Sequence, residues 1–459
     1  MNINSIKIGI ALVFLAQLAQ AQFTIFNTLK TKEETGLRIG DNAYLTAKKG
    51  VDANGEGWLR LTEAKANQKG YMYVMQSFPT TLGVLADFEY TAWRNADDSY
   101  YGADGFTMFL FNGNISDANF KLGGYGGSLG YAPLSATSSP GLTGGYIGIG
   151  FDAYGNYARK GEGRTTGITN YAPNAVVLRG PTTTDNNSNK LLTYILLGNR
   201  SGSDNDIRKR NEIDYNTKVS SRPALELFYR RVQVTITKSG NNYIISAKWR
   251  KEAQTTFTPL FTYTVDSSTY PLPDILKIGF AGSTGGGFNF QEIRNILLTT
   301  PGNLRVDSRS DLALACTSTT TPIMFKIEVT NDTSTALTNI NYSTEFKDSN
   351  NVLLDLEKFK ITSVSLSSEF TNSNIPTSNF TSNSITGIVG LPANTSGIVT
   401  VVGEYKGGLP TNSTLTAESN INSLQVTDID ETNNTAKTSI DIRKCNVITN
   451  PNLPIYNYK

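Results

Sequence analysis

The stretch Gly145–Tyr157, GYIGIGFDAYGNY, decides the fold of most of the chain. It begins with isoleucines among glycines, a pattern typical of a strand that packs closely against its neighbours. It ends with Asp152, Tyr154 and Asn156 at alternate positions, and alternate residues of an extended chain share one side. The end of this strand therefore presents two side chains and a main-chain carbonyl as oxygen ligands, a set that suits a hard cation such as calcium.

Short runs of alternating apolar and polar residues surround this stretch from residue 22 to residue 300, with glycine, asparagine and proline turns between them. The runs are Gly57–Thr62, Gly70–Met75, Ala86–Trp93, Gly105–Phe111, Leu191–Leu197, Val232–Lys238, Tyr243–Trp249 and Leu276–Ala281. Many short strands without a long helix predict an all-β chain whose first domain, residues 22–300, is a β-sandwich. Its length requires more strands in each sheet than an Ig domain has.

The composition changes after residue 303, where threonine, serine and asparagine dominate and aromatic residues become fewer. Strand-like runs continue at Ile323–Val329, Leu337–Phe346, Ile398–Tyr405, Thr414–Ser419 and Ala436–Ile442. Residues 304–445 are therefore predicted to form a second, Ig-like β-sandwich. Residues 446–459 are predicted to be a tail or linker.

Residues 1–21 have the pattern of a secretory signal peptide, with Lys7, the apolar run Ile8–Ala16 and a small-x-small cleavage site at Ala19–Ala21. The alternative is an N-terminal membrane anchor, which needs about 20 apolar residues and is therefore disfavoured. No later segment is long and apolar enough to span a membrane. We expect a chain that starts at Gln22 and is secreted or held at the cell surface.

The composition excludes several kinds of chemistry. The chain has 459 residues, a net charge of +2 and no histidine, so histidine-based catalysis and histidine metal ligands are absent and a nucleic-acid partner is not expected. Export permits a disulfide between Cys316 and Cys445, the two cysteines of the chain. The alternative is a pair of unpaired, buried thiols.

Two glycine loops and one aspartate add to the oxygen-rich strand end. Asp104 precedes an aromatic strand, where it can accept hydrogen bonds from two sugar hydroxyls, although a turn aspartate has the same pattern. Gly123–Tyr131 and Gly285–Gly287 let a ligand approach the main chain, although flexible hairpins have the same composition. Tyr154 adds a ring that can stack on a sugar, unless the strand ends in an ordinary turn.

Taken together and in this order, these stretches resemble the L-type (legume-type) lectin family, most closely its bacterial secreted members. The resemblance runs from Phe23 to Thr300 and rests on the strings WLRLT, ADGFTMFLF, GGSLGY, FDAYGN and IGFAGSTGG followed by QEIRNILL. It implies a concanavalin A-like jelly-roll sandwich of two large antiparallel sheets. It also implies a shallow sugar pocket at one end.

The resemblance also implies roles for particular residues. The family's pocket residues fall on Asp104, Gly127, Tyr154 and Asn156, and a cis peptide is expected before Asp104. Gly285 and Gly286 belong to the loop that would set which sugar fits.

The metal ligands depart from the family pattern. Gly150 stands where the family has an acidic residue, and the required histidine is missing, so no manganese is expected. The second calcium aspartate is also missing, and Glu162 is the candidate to replace it. The predicted calcium ligands are therefore Asp152, Tyr154, Asn156 and Glu162.

The sequence thus predicts an exported protein that binds glycan without catalysis, and it leaves the oligomeric state open. One alternative is an adhesion or structural module that has lost sugar binding. Another is a glycoside hydrolase of the same fold, but the string Glu212–Asn216 lacks the last carboxylate of the hydrolase motif. This string lies in Arg200–Ser221, which is predicted to be a solvated surface loop. Asp428–Ala436 resembles repeat-type Ig-like domains of bacterial surface proteins, which implies a spacer.

Overall fold

A computed structural model describes residues 23–445, with the exception of residues 98, 183–187, 252–253, 334 and 429–430. The chain divides into two compact units. The larger unit contains Phe23–Leu304 and Leu424–Asn434, and the smaller unit contains Arg305–Ser423 and the described residues after 434. The predicted signal peptide (residues 1–21) and tail (residues 446–459) lie outside the described residues.

Strands dominate the described part of the chain. Those before residue 303 are β1 Thr24–Asn27, β2 Leu37–Asp41, β3 Tyr44–Leu45, β4 Leu59–Thr62, β5 Lys69–Val74, β6 Phe78–Pro79, β7 Val84–Trp93, β8 Gly105–Asn112, β9 Gly145–Asp152, β10 Ala175–Arg179, β11 Leu191–Leu196, β12 Arg230–Ser239, β13 Asn242–Lys251, β14 Thr258–Val265, β15 Ile275–Ser283, β16 Phe290–Thr299 and β17 Pro301–Gly302. The later strands are β18 Leu304–Ser310, β19 Leu314–Cys316, β20 Thr321–Asn331, β21 Leu337–Asp348, β22 Phe359–Leu366, β23 Asn372–Ser373, β24 Ser384–Leu391, β25 Thr395–Tyr405, β26 Ser413–Asn422, β27 Thr427–Asp428 and β28 Thr435–Arg443.

Helices are few and short in the described residues. One α-helix, α1, covers Asp204–Arg208, and single 3₁₀ turns cover Thr80–Leu82, Gly126–Ser128, Ser135–Thr137 and Glu431–Asn434. Among these described helices, none has the length and apolar character needed to cross a membrane.

Two eight-stranded antiparallel sheets build the larger unit. The back sheet has the order β14-β13-β12-β7-β16-β4-β3, with β1 beside β16. The front sheet has the order β11-β10-β9-β8-β15-β5-β2, with β6 beside β15. The predicted all-β jelly-roll sandwich is confirmed. Strand β10 was not predicted, because its five residues are all buried and show no alternation.

The core between the two sheets is built from aromatic rings. Phe88 of the back sheet lies 4.8 Å, centroid to centroid, from Phe280 of the front sheet. Phe106 and Phe151 of the neighbouring strands β8 and β9 stack at 4.7 Å. Burying such rings is the main favourable term in folding a sandwich.

A second apolar cluster covers the opposite face of the front sheet, where Tyr131 and Tyr157 are fully buried. A Cβ at Gly148 would overlap the Tyr131 ring, and one at Gly150 would overlap the Tyr157 ring. The glycines of β9 therefore make room for a layer of rings, while its isoleucines face the other core. This packing explains the alternation in the opening stretch of the sequence.

The smaller unit is also a two-sheet sandwich. One sheet has the order β18-β20-β25-β22, and the other has the order β19-β28-β26-β21-β24-β23. The ring of Phe346 in the second sheet lies 5.0 Å from that of Phe325 and 4.7 Å from that of Phe359 in the first sheet. The two sheets thus share one core, and the Ig-like assignment of this unit stays a prediction.

A disulfide joins Cys316, at the end of β19, to Cys445, just beyond β28. The two Cα atoms are 5.4 Å apart, and 129 residues separate the cysteines along the chain. A cross-link over so long a loop removes many conformations from the unfolded chain and stabilises the fold that it closes.

A buried carboxylate organises one part of the back sheet. Glu292 accepts from Arg60 Nε at 2.9 Å, Arg222 Nε at 2.7 Å and Trp93 Nε1 at 3.0 Å, and Arg222 also pairs with Asp52. Burial alone would raise the pKa of Glu292, but the hydrogen bond and charge of Arg222 and the charge of Arg60 hold it below the ordinary value.

The variant Glu292→Gln should lower the free energy of unfolding of the larger unit by about 3–5 kcal/mol, because it removes the nearest counter-charge of the buried Arg60 and one of the two carboxylates that pair with Arg222. All three tryptophans, Trp58, Trp93 and Trp249, lie in this unit, so tryptophan fluorescence in urea measures it selectively. The lowered pKa of Glu292 stabilises the wild type above the unfolded pKa of about 4.3, and this contribution is lost on further acidification. The free energy of unfolding of the variant should therefore depend less on pH under acid conditions than that of the wild type. A variant with the wild-type free energy of unfolding and the wild-type dependence on acid pH would contradict the role of Glu292 as a buried counter-charge.

Replacing both cysteines by serine should destabilise the smaller unit by about 2–5 kcal/mol and leave the tryptophan-detected transition unchanged. Calorimetry of the full chain, with fluorescence in parallel, separates the two transitions. A double variant whose calorimetric trace matches the wild type would show that the cross-link does not stabilise this unit.

Candidate functional site

Three strand ends of the front sheet meet at one edge. Strand β8 begins at Gly105, which pairs with Asp152 at the end of β9 and with Ser283 at the end of β15. This register brings together the aspartate that precedes β8, the oxygen-rich end of β9 and the glycine loop that follows β15. These stretches are far apart in sequence, and the sheet alone places them side by side.

The main chain of Asp104 is held from both sides. Its N–H donates to the Ser283 carbonyl at 3.2 Å, and its carbonyl accepts from the N–H groups of Ala153 at 2.9 Å and Tyr154 at 3.2 Å. The peptide Ala103–Asp104 is cis, as the resemblance implied. The strand ends on either side therefore fix the position from which the Asp104 carboxyl projects.

The first glycine loop, Gly123–Tyr131, is tied to the same edge. The Ser283 hydroxyl donates to the Gly126 carbonyl at 2.6 Å. A Cβ at Gly127 would overlap the amide of Asn156, so only glycine allows this loop and the end of β9 to approach so closely.

A cleft of about 300 Å³ opens where these stretches meet, and we call it the strand-end cleft. All six predicted sugar-binding residues and Glu162 line it. Its lining is Asn67, Tyr100, Ala103, Asp104, Tyr125, Gly126, Gly127, Leu134, Ala136, Tyr154, Asn156, Glu162, Tyr171, Gly285, Gly286 and Gly287. Asp152 does not line it.

The cleft has more aromatic surface than the sequence predicted. The rings of Tyr100 and Tyr171 stand edge-on to that of Tyr154, at 5.8 and 5.4 Å, and Tyr125 also lines the cleft. Tyr100 precedes the ADG string closely, which is the one signal that would have pointed to it. The other two tyrosines reach the cleft only through the fold.

Two buried oxygens in the cleft lining have no hydrogen-bond partner in the protein. They are Oδ2 of Asp104, a residue that is 4% exposed, and Oδ1 of Asn156. Burial, followed by the negative charge of Asp152, raises the pKa of Asp104 well above its ordinary value, and a hydrogen bond from the Gly285 N–H opposes this. A ligand that offers two donors would satisfy both oxygens.

The Asp152 carboxylate, predicted as a calcium ligand, is used within the protein. Its two oxygens accept from the N–H groups of Gly155 and Tyr157, each at 2.7 Å. Burial raises the pKa of Asp152 to about 7, although these two hydrogen bonds and the nearby arginines oppose the rise. In the structure Asp152 closes the turn that follows β9.

Arginines occupy two of the remaining predicted calcium ligands. Arg208 Nε donates to the Tyr154 carbonyl at 3.0 Å, and Arg164 pairs with the Glu162 carboxylate at 2.6 Å. Among the described residues, no group of three or more acidic or cysteine side chains is arranged to hold a metal ion. A calcium ion does not fit these residues as they are arranged, because a guanidinium cation already contacts the carbonyl that it would need.

The loop that carries Arg208 differs from the prediction. Arg200–Ser221 was expected to be a solvated surface loop, but it contains α1 and buries Ile207, Arg208, Ile213 and Asp214. The error arose because charged residues predict exposure, whereas Arg208 is buried by contacts with residues some fifty positions earlier.

The two acidic residues of the hydrolase string contact other side chains of the protein. Glu212 pairs with Lys251, and Asp214 accepts from the Asn289 side chain at 2.6 Å. Neither carboxylate lines the strand-end cleft.

No family model matches the sequence, and no curated protein matches it. The solved structures that match the chain include legume lectins and a domain of VIP36. A Bauhinia forficata lectin in complex with GalNAc is 15% identical, with a TM-score of 0.39, and covers 61% of this chain and 98% of its own. The metal-free lectin I-B4 of Griffonia simplicifolia is 14% identical, with a TM-score of 0.40, and covers 60% and 98%. The exoplasmic domain of VIP36 in its Ca²⁺/Man-bound form is 10% identical, with a TM-score of 0.37, and covers 62% and 91%. At this level the similarity concerns the fold alone, and no role of a residue is taken from it.

The variant Asp152→Ala should destabilise the larger unit by about 2–4 kcal/mol, because two buried N–H groups lose their acceptor. Asp152→Asn keeps one amide oxygen and should lose less. Tryptophan-detected unfolding in urea measures both variants, with the exposed Asp97→Ala as a control. An alanine variant that unfolds at the wild-type urea concentration would show that the carboxylate does not close the turn.

Proposed function

We propose that the larger unit binds carbohydrate non-covalently in the strand-end cleft. The observation that supports this most is the pair of buried, unpartnered acceptors, Asp104 Oδ2 and Asn156 Oδ1, in a cleft that is also lined by tyrosine rings. A buried acceptor without a donor costs about 1–3 kcal/mol, and a sugar offers several hydroxyl donors on one rigid ring. The proposed partner is therefore a glycan or polysaccharide.

Each lining group has a part in this proposal. Asp104 and Asn156 accept from neighbouring hydroxyls, and the main-chain N–H of Gly127 donates to a sugar oxygen. The ring of Tyr154 stacks on the apolar face of the sugar, and the loop with Gly285 and Gly286 limits which sugar fits. Binding requires no covalent step, so the proposal is a lectin activity without catalysis.

Calcium is not part of the proposed binding step, because the predicted ligands Asp152, Tyr154 and Glu162 are hydrogen-bonded or paired within the protein. A manganese site is likewise not proposed, because Gly150 stands in place of the family's acidic ligand and the chain has no histidine.

We also propose export of the chain, with the smaller unit as an Ig-like spacer. The signal-peptide pattern of residues 1–21 and the disulfide between Cys316 and Cys445 support this, because such cross-links persist in oxidising compartments.

The variant Asp104→Ala should weaken glycan binding about tenfold or more, because a buried hydrogen-bond acceptor of the cleft is lost. The measurement is a glycan array that includes galactose, N-acetylgalactosamine and mannose, probed with the full chain and followed by titration of the strongest hits. Asp117→Ala, which changes a carboxyl group bonded to Tyr73 outside the cleft, is the matched control.

Two results would count against the proposal. Wild-type binding by Asp104→Ala would remove the cleft as the sugar site. An array that stays silent with the folded wild type would favour the adhesion or structural module instead.

A further inference from the structure

We propose that the guanidinium group of Arg208 takes the place of the structural calcium ion that the lectin resemblance implied, so that the strand-end cleft is organised without a divalent metal. This deepens the proposed function and rests on it only where glycan binding is the readout.

Arg208 holds Tyr154 at two points. Its Nε donates to the Tyr154 carbonyl at 3.0 Å, and its guanidinium carbon lies 4.0 Å from the centroid of the Tyr154 ring. The first contact fixes the main chain at the end of β9, and the second is a cation–π contact that fixes the ring. A single cation thus positions both parts of a residue that lines the cleft.

The contact continues to the principal acceptor of the cleft. The Tyr154 N–H donates to the Asp104 carbonyl at 3.2 Å, and the neighbouring Ala153 N–H donates to the same oxygen at 2.9 Å. Arg208 therefore acts on the peptide that positions Asp104, through one intervening residue. It is a positioning residue, because it touches Tyr154 and does not line the cleft itself.

The fold holds Arg208 in this place. It is the last residue of α1, whose first turn is closed by a capping box between Ser203 and Asp206. Asn205 Oδ1 accepts from the guanidinium at 2.8 Å, and the side chain of Asn216 donates to the Arg208 carbonyl. Arg208 is only 7% exposed, so contacts within the protein hold it in place.

The loop that carries α1 is in turn anchored to the sandwich. Asn174, which directly precedes β10, donates from its side chain to the Ile207 carbonyl at 2.7 Å and accepts from the Ile213 N–H at 3.1 Å. The two bonds hold the main chain on either side of Arg208, and they thereby fix the position of Arg208 relative to the end of β9.

A second buried arginine pairs with Glu162, another of the candidate calcium ligands. Arg164, whose side chain is 1% exposed, pairs with Glu162 and donates to the Ser128 hydroxyl at 3.3 Å in the glycine loop. Two guanidinium groups thus supply the positive charge and the cross-links that a metal ion would otherwise supply.

This arrangement has a consequence that a chelator can test. A guanidinium group is permanently charged, donates in fixed directions and is part of the chain, so a chelator cannot remove it. Binding in a cleft that is organised in this way is independent of calcium, whereas a calcium-held cleft loses its order in a chelator.

The first experiment does not use glycan. Calcium chloride is titrated into the full wild-type chain in a calorimeter, and tryptophan-detected unfolding is measured in millimolar calcium chloride and in EDTA. We expect no saturable heat of binding and the same unfolding midpoint in both solutions. Saturable calcium binding that raises the midpoint would overturn the proposal.

The second experiment removes the guanidinium. Amide hydrogen exchange at residues 153–157 is compared in wild type, Arg208→Gln, Arg208→Lys and the control Arg210→Gln, which changes a loop arginine bonded to the Ser201 carbonyl. Faster exchange in Arg208→Gln, with intermediate exchange in Arg208→Lys and wild-type exchange in the control, is the expected result. Wild-type exchange in Arg208→Gln would overturn the proposal. If Arg208→Gln does not fold, the lysine variant decides the question.

The third experiment uses the glycans that bind the wild type. We expect equal affinity in calcium chloride and EDTA, and a loss of about tenfold or more in Arg208→Gln. Affinity that falls in EDTA, or stays at wild-type strength in Arg208→Gln, would contradict the role of Arg208. Absence of glycan binding by the wild type would contradict the proposed function alone, because the calcium titration and the exchange rates still decide the role of Arg208.

Discussion

Gly105 pairs with Asp152 on one side and with Ser283 on the other, and the strand-end cleft depends on this register. It places Asp104 between the ends of β9 and β15, where main-chain hydrogen bonds from both sides hold it. A shift of one residue in either pairing would turn the alternate side chains to the opposite face of the sheet. The two aromatic cores that flank β8 and β9 specify the register, because each accepts only one set of alternating residues.

Much of this arrangement could be predicted from the sequence, because several cleft residues lie close in sequence to recognisable strands. Asp104, Asn156 and Gly285 stand directly beside strands with clear alternation, so the sheet carries them to a common edge. Strand β10 could not be found in this way, because its apolar run is short and shows no alternation. Arg208 was missed for another reason. Its burial comes from contacts with the distant end of β9, and a charged loop by itself predicts exposure.

In the proposed organisation of the cleft, side chains take the place of a metal ion. The sequence correctly placed Asp152 and Glu162 near the edge of the sheet where the cleft lies. It did not reveal that both carboxylates have partners within the protein. The main chain takes up the first carboxylate, and Arg164 takes up the second. The unpartnered oxygens that remain belong to Asp104 and Asn156, and these line the space that a ligand would enter. Asp152 and Glu162 thus make contacts within the protein, whereas Asp104 and Asn156 are available to a ligand.

A crystal structure of the full chain with a bound glycan, grown in EDTA, would show whether the cleft binds sugar while Arg208 holds Tyr154. We expect a sugar in the strand-end cleft, with its hydroxyls donating to Asp104 Oδ2 and Asn156 Oδ1 and with Arg208 Nε still donating to the Tyr154 carbonyl. A sugar bound elsewhere on the molecule, or a cleft that holds sugar only after calcium has displaced Arg208 from Tyr154, would contradict it.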